Sequence, residues 1–211
     1  MFESDFFQNI FDLLKYDPFR PLLFNSGFFL FFFIFILVFY RFFWKNYRAK
    51  VFFLTVMSLF FYYKSSGLFF YLVIISSLID FAAGKLIYES NSQLRKKLFL
   101  ILSVVTNLGI LGYFKYTNFF IKTINTISSS GLEFVDIFLP VGVSFFTFQS
   151  MSYTIDIYKG NLEPENKFLD FLFFVSFFPQ LVAGPIVRAK DFLPQIKSAR
   201  PISCLVTLTS L

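Results

Sequence analysis

Apolar residues in this chain fall in long blocks divided by short polar stretches, and the blocks have the length of membrane-crossing helices, not of strands. Leu22 to Tyr40 is the first, and at 1.5 Å per residue it covers about 28 Å, close to the hydrocarbon thickness of a bilayer. Val51 to Tyr63 covers only about 20 Å, so it either borrows its flanks to cross or dips in and returns. Leu68 to Tyr88, Leu98 to Tyr116 and Phe138 to Tyr158 follow, the last with Pro140 in the first-turn position that proline accepts. A sixth stretch, Phe168 to Gln195, begins as a phenylalanine-rich helix and then acquires Pro179, Gln180, Gly184, Pro185 and Arg188. Proline removes a helical hydrogen bond and Gly-Pro is a turn signal, so this helix should kink or stop near Phe178.

Polar positions inside the blocks are also periodic. Ser76, Asp80 and Gly84 share one helical face, which puts a carboxylate deep among apolar residues with small neighbours on either side. Such an acid faces the bundle interior, and Ser103 and Asn107, one turn apart on the next block, offer it a partner. In the fifth block Phe145, Gln149, Ser152 and Asp156 form a second stripe that should line the interior. Broken backbone is tolerated in hydrocarbon only when protein or water covers it, so Pro179 also implies an internal polar space. Before these blocks, Phe2, Phe6, Phe7, Ile10, Phe11 and Leu14 recur at helical spacing among acids. Residues 1–20 are therefore expected to form an amphipathic segment at the interface.

Composition agrees with the pattern. Of 211 residues 56% are hydrophobic, 15% are charged and 38 are phenylalanine, too apolar a set to make a water-facing surface. The expected fold is all-α, a polytopic transmembrane bundle of about six segments over 21–195, with 196–211 as a tail and one segment kinked or re-entrant near Pro179. The net charge of +6 could point to nucleic acid, but the cations stand in loops, as in Arg41, Lys45, Arg48 and Lys50 or Arg95, Lys96 and Lys97. That placement orients helices and gives no reason to expect nucleic acid as a partner. With those loops in the cytoplasm the acidic beginning lies outside, and Arg188 to Arg200 joins the cytoplasmic side only if the proline-broken segment is re-entrant. No basic start or small-residue cleavage site marks a secretory signal. Cys204 is the one cysteine, so no disulfide framework or thiolate cluster is expected, and its plainest role is that of an unpaired thiol.

The chain has no histidine, which removes the commonest general base and metal ligand; no metal site and no Gly-rich phosphate loop is expected. Candidates for chemistry are Gln149, Asp156, Gln180 and Arg188, and none is a nucleophile beside a base. Residues alone fit a transporter, a channel or an enzyme with an interior polar cavity.

LPVGVSFFTFQSMSYTIDIYKG at Leu139 to Gly160 and FLDFLFFVSFFPQLVAGPIVRAKDFLPQ at Phe168 to Gln195 resemble the signature blocks of the membrane-bound O-acyltransferase family, in its alginate O-acetyltransferase branch. NLGILGYFKYTNFF at Asn107 to Phe120 resembles the same branch. The resemblance implies an integral, multi-pass protein of the inner membrane. It would pass an acyl group, acetyl in this branch, from a cytoplasmic carrier such as acetyl-CoA to a hydroxyl of an exported polysaccharide. No bound cofactor is implied, and acyl-transfer proteins on the outer side would be partners beside the lipid bilayer. It places Gln149, Ser152, Asp156, Pro179, Gln180, Gly184, Pro185 and Arg188 around the substrate tunnel, as shaping residues and not as the base. The family's presumed base is a histidine about a third of the chain beyond the second block. With no histidine here, and with ISCLVTLTSL unlike the family's continuation, the expectation is an N-terminal part, truncated or frameshifted and inactive alone. A non-catalytic membrane scaffold and a small-molecule channel or transporter are the competing readings.

Overall fold

The computed structural model describes residues 14–18, 21–43, 45–128, 131–185 and 187–197, and among these every regular element is helical. The interfacial helix expected before Leu14, and Cys204 with most of the 196–211 tail, lie outside the described residues.

The helix α1, Gly27–Phe43, starts later than the hydrophobic block. Ser26 explains the delay: its hydroxyl donates to the Leu23 carbonyl and accepts from the Phe29 amide, which holds Leu22 to Ser26 in a turn before the helix. α2, Tyr47–Ser66, is the block that was too short; it borrows its flanks and reaches 20 residues, about 30 Å. Asn46 caps its start by accepting from the Ala49 amide, and Gly67 at φ 62 ends it. After a short 3-10 turn come α3, Phe70–Glu89, and α4, Gln93–Leu111, which passes through a π-turn at Gly112–Tyr116 into α5, Thr117–Ser128. Arg95, Lys96 and Lys97 are not loop residues as expected but stand in the first turns of α4.

α6 spans Val143–Tyr158. Pro140 is therefore outside it, in a turn closed by Gly142 at φ 76, where the Val141 amide donates to the Ser66 hydroxyl. α7, Phe168–Ser176, stops two residues before Phe178, as the prolines require. α8, Phe178–Ala183, carries Pro179 in its first turn, and α9, Ala189–Lys197, follows.

Side-chain contacts fix the direction of each helix. Lys85 reaches the Asn166 carbonyl, Gln93 meets the Tyr158 hydroxyl, and Tyr47 lies within electrostatic reach of Glu165 and Asp170. One end of the molecule therefore gathers the end of α1, the starts of α2 and α4, the ends of α3 and α6, and the start of α7. Lys197, at the end of α9, pairs with Glu165 at 2.6 Å, so the chain returns to the end from which α7 set out. Between them Phe178 packs on Phe29, Phe32 and Phe61, residues of α1 and α2. Segments α7 and α9 are thus the two short arms of a hairpin with α8 at its tip.

The core has two parts. The larger joins Tyr153, Phe171, Phe174 and Phe146 with Val73 and Ile87, and the smaller is the phenylalanine cluster around Phe61 and Phe178. The outward faces are as apolar as the core: Phe31 is 72% exposed and Ile127 81%. Tyr47–Glu89 and Gln93–Ser128 include helices long and apolar enough to cross a membrane, and Gly27–Phe43 is a shorter apolar one.

Candidate functional site

Helix α6 is buried on two opposite faces, and both are polar. The face of Thr147, Ser150 and Thr154 turns toward α3 and α4, where Asp80 and Asn107, both wholly buried, form the node of a network. The Asn107 Nδ2 donates to the two Asp80 oxygens at 3.0 and 2.8 Å and to the Ser103 carbonyl at 3.0 Å. The Ser103 hydroxyl donates to Asp80 Oδ1 at 2.6 Å and lies 3.0 Å from the Thr154 hydroxyl. Asn107 Oδ1 accepts from Ser76 at 2.8 Å and from Ser150 at 3.2 Å. Asp80 thus meets Ser103 and Asn107 as the residue pattern implied. Gly84 completes its stripe: a Cβ there would stand 2.7 Å from the Tyr153 ring, so α3 and α6 touch as closely as a glycine permits.

The opposite face of α6 carries Gln149 toward the α7–α8–α9 hairpin, and Asp156 follows two turns on along the same face. Gln149 Nε2 donates to the Phe174 carbonyl at 2.6 Å. A helix ending inside the molecule leaves its last carbonyls without intrahelical donors, and Gln149 supplies one to α7 just before the break. Ser152 is half-buried and turns its hydroxyl back to the Gln149 carbonyl at 2.7 Å. Asp156 is buried, its Oδ2 without a protein partner. Gln180 is buried at the hairpin tip with its Nε2 likewise unpartnered, and its carbonyl accepts from the Gly184 amide at 3.0 Å. Pro179 and Gly184 are half-buried, whereas Pro185 and Arg188 are exposed. The structure therefore groups Gln149 with the hairpin and buries Gln180 at its tip, but it leaves the Arg188 side chain outside.

Sequence reasoning missed three buried polar residues on α2 and α7. Ser58 and Tyr62, one turn apart on α2, and Ser176 at the end of α7 bury hydroxyls that have no protein partner. Buried polar atoms cost about 1–3 kcal/mol each when unpaired, and Ser176 and Gln180 place two of them at the helix break, with others on α2, on α3 and near the end of α6.

No family profile matches the chain, and no solved structure does. Curated relatives do. Over 204 residues it is 34% identical to the peptidoglycan O-acetyltransferase of Helicobacter pylori, a match covering 83% of this chain and 39% of the relative. Over 100 residues it is 47% identical to the probable alginate O-acetylase of Pseudomonas aeruginosa, covering 46% of this chain and 19% of the relative. The Azotobacter vinelandii probable alginate O-acetylase is 47% identical over 100 residues, covering 46% and 20%. These relatives are O-acetyltransferases of the membrane-bound O-acyltransferase family, the family that the two signature blocks resemble. The chain's matches span between about a fifth and two fifths of the curated relatives' length.

Proposed function

We propose that these residues are the N-terminal, multi-pass part of an integral O-acyltransferase of the cell membrane. On this reading the whole protein moves an acyl group, acetyl as in the relatives' names, from a cytoplasmic carrier such as acetyl-CoA to a hydroxyl of an exported polysaccharide, handed on by partner proteins outside. The match along most of the chain to a peptidoglycan O-acetyltransferase carries the reading.

The geometry supports it in two ways. The molecule's basic end gathers Arg41, Arg48, Lys85, Arg95, Lys96, Lys97, Lys159 and Lys197, and this excess of Lys and Arg supports reading it as the cytoplasmic end. From there α7 and α9, nine residues each, reach about 14 Å, half of the bilayer, and so form a re-entrant hairpin that ends in the interior. Where that hairpin breaks, the polar faces of α6 and α2 meet it. Gln149, Ser152, Asp156, Gln180 and the turn around Gly184 then shape the passage for the acyl group. With no histidine in 211 residues, this part orients substrates and does not itself transfer the group.

In a complete relative, replacing the counterparts of Gln149 and Asp156 together by leucine and alanine should lower acyl transfer at least about tenfold at unchanged protein level, the effect of displacing substrate from its reacting geometry. Undiminished transfer would discard the passage. The topology is tested separately. In a Cys204→Ser background, Ser92→Cys and Lys197→Cys should react with an impermeant thiol reagent from the same side of the membrane, and Lys122→Cys from the other. Labelling of Lys197→Cys from the side of Lys122→Cys would make the hairpin a full crossing.

A further inference from the structure

A groove of about 350 Å³ runs along the outside of the bundle between α1, α2 and the α7–α8–α9 hairpin. Its inner walls are Ile36, Leu54, Phe173, Phe178 and Pro179, and its polar lining is Tyr40, Lys50 and Gln195. The polar residues stand at one end: Tyr40 in the last turn of α1, Lys50 in the first turn of α2 and Gln195 near the end of α9. That is the basic end of the molecule, and residues 41–50, from the last turn of α1 to the first turn of α2, include four cations and no acid. Along α1 the apolar lining begins about 5 Å deeper, at Leu37 and Ile36, and reaches Phe33 about 10 Å from Tyr40. On its outer side the groove opens past Phe33 and Leu37, 38% and 52% exposed, toward what the proposed function takes as lipid.

We infer that this groove holds one anionic phospholipid, with an acyl chain against the phenylalanines and the phosphate at Lys50. The inference rests on the membrane reading given above. Size argues against a helix as occupant, since a single 5.4 Å turn of a cylinder 10 Å across already fills about 420 Å³. An acyl chain is thinner, and the groove lies within the range of small-ligand sites, about 300–1,000 Å³. Charge selects the headgroup: a zwitterionic lipid fits the apolar half equally well but gains nothing net from a cation at the mouth. Lys50 also stands over the Tyr47 ring, 5.8 Å from its centre, which holds the ammonium at the groove and not away in solvent.

The full chain, purified in detergent and stripped of lipid, is titrated with phosphatidylglycerol or phosphatidylcholine of identical acyl chains, and bound lipid is counted by native mass spectrometry. Phosphatidylglycerol should bind at least about fivefold more tightly, the worth of one cation near an anionic headgroup. Lys50→Gln should erase that preference while phosphatidylcholine binding stays unchanged. Leu37→Trp, at an exposed position where folding tolerates the larger ring, should fill the groove and reduce both. Equal binding of the two lipids by the unmodified chain overturns the site, as does phosphatidylglycerol bound undiminished by the Leu37→Trp chain. A chain that stays soluble and monodisperse without detergent and takes up neither lipid overturns the membrane reading as well.

Discussion

Replacing Asp80 by alanine is expected to lower the stability of the chain by about 3 kcal/mol, because the buried donors of Ser103 and Asn107 lose their acceptor at about 1–3 kcal/mol each. Hydrogen bonds between membrane helices average less, about 0.6 kcal/mol, because the unfolded chain in a bilayer finds other partners. Asp80 departs from that average since three donated bonds converge on its one wholly buried carboxylate. For a chain of this size the loss should appear as a fall of about 6–12 °C in melting temperature in detergent. Asp80→Asn keeps the oxygen that accepts from Ser103 and should lose less than half as much. Ser76→Ala removes one bond to Asn107 and should cost about 1 kcal/mol. An Asp80→Ala chain that melts within 2 °C of the parent would mean that the network adds nothing to helix association.

Much of this was legible in the residues, for reasons that differ from place to place. The Ser76–Asp80–Gly84 stripe could be read because a carboxylate among apolar residues must turn inward, and the spacing of Ser103 and Asn107 fitted it. The hairpin could be read because Pro179, Gly184 and Pro185 stop a helix, while the cations after Arg188 belong on the basic side only if the chain turns back. The second polar face of α6 was hidden. A helical threonine can satisfy its own hydroxyl locally, as Thr147 does by donating to the Val143 carbonyl at 2.8 Å, so hydroxyl residues do not by themselves mark a face. α2 was underestimated because Lys50 and Lys64 read as boundaries. Both are buried inside the helix, where Lys64 reaches the Lys15 carbonyl, a contact between segments that periodicity cannot foresee. The side chain of Arg188 is outside the interior for a related reason. Its position follows from the turn between α8 and α9, where its carbonyl accepts from the Asp191 and Phe192 amides and opens the last helix.

Gly84→Leu should be the most damaging change at the contact between α3 and α6. Its Cβ alone would come to 2.7 Å from the Tyr153 ring and 2.9 Å from Ile157 Cδ1. Tyr153 cannot retreat, since it is wholly buried, packs 4.3 Å from the Phe171 ring centre and accepts the Glu165 amide at 3.0 Å through its hydroxyl. Overpacking costs about 1–3 kcal/mol for added methylenes, and a whole leucine between two helices should reach or exceed the upper figure. The helices must then separate, and that separation also pulls Ser150 and Thr154 from the Asp80 network, so the two losses should couple in a double-mutant cycle of Gly84→Leu with Asp80→Ala. Gly109 is the internal control. It is a helical glycine with nothing within 4 Å of an added Cβ, and Gly109→Ala should be neutral or stabilise by up to about 1 kcal/mol through helix propensity. Ile157→Val removes the methyl nearest the new side chain and should recover part of the loss in a Gly84→Ala chain, but little in the Gly84→Leu chain, where the Tyr153 ring remains in the way. Equal melting temperatures for Gly84→Leu and Gly109→Leu would show that α3 and α6 are not in contact at this glycine, and the face of α6 that carries Gln149 would lose the support that holds it to the hairpin.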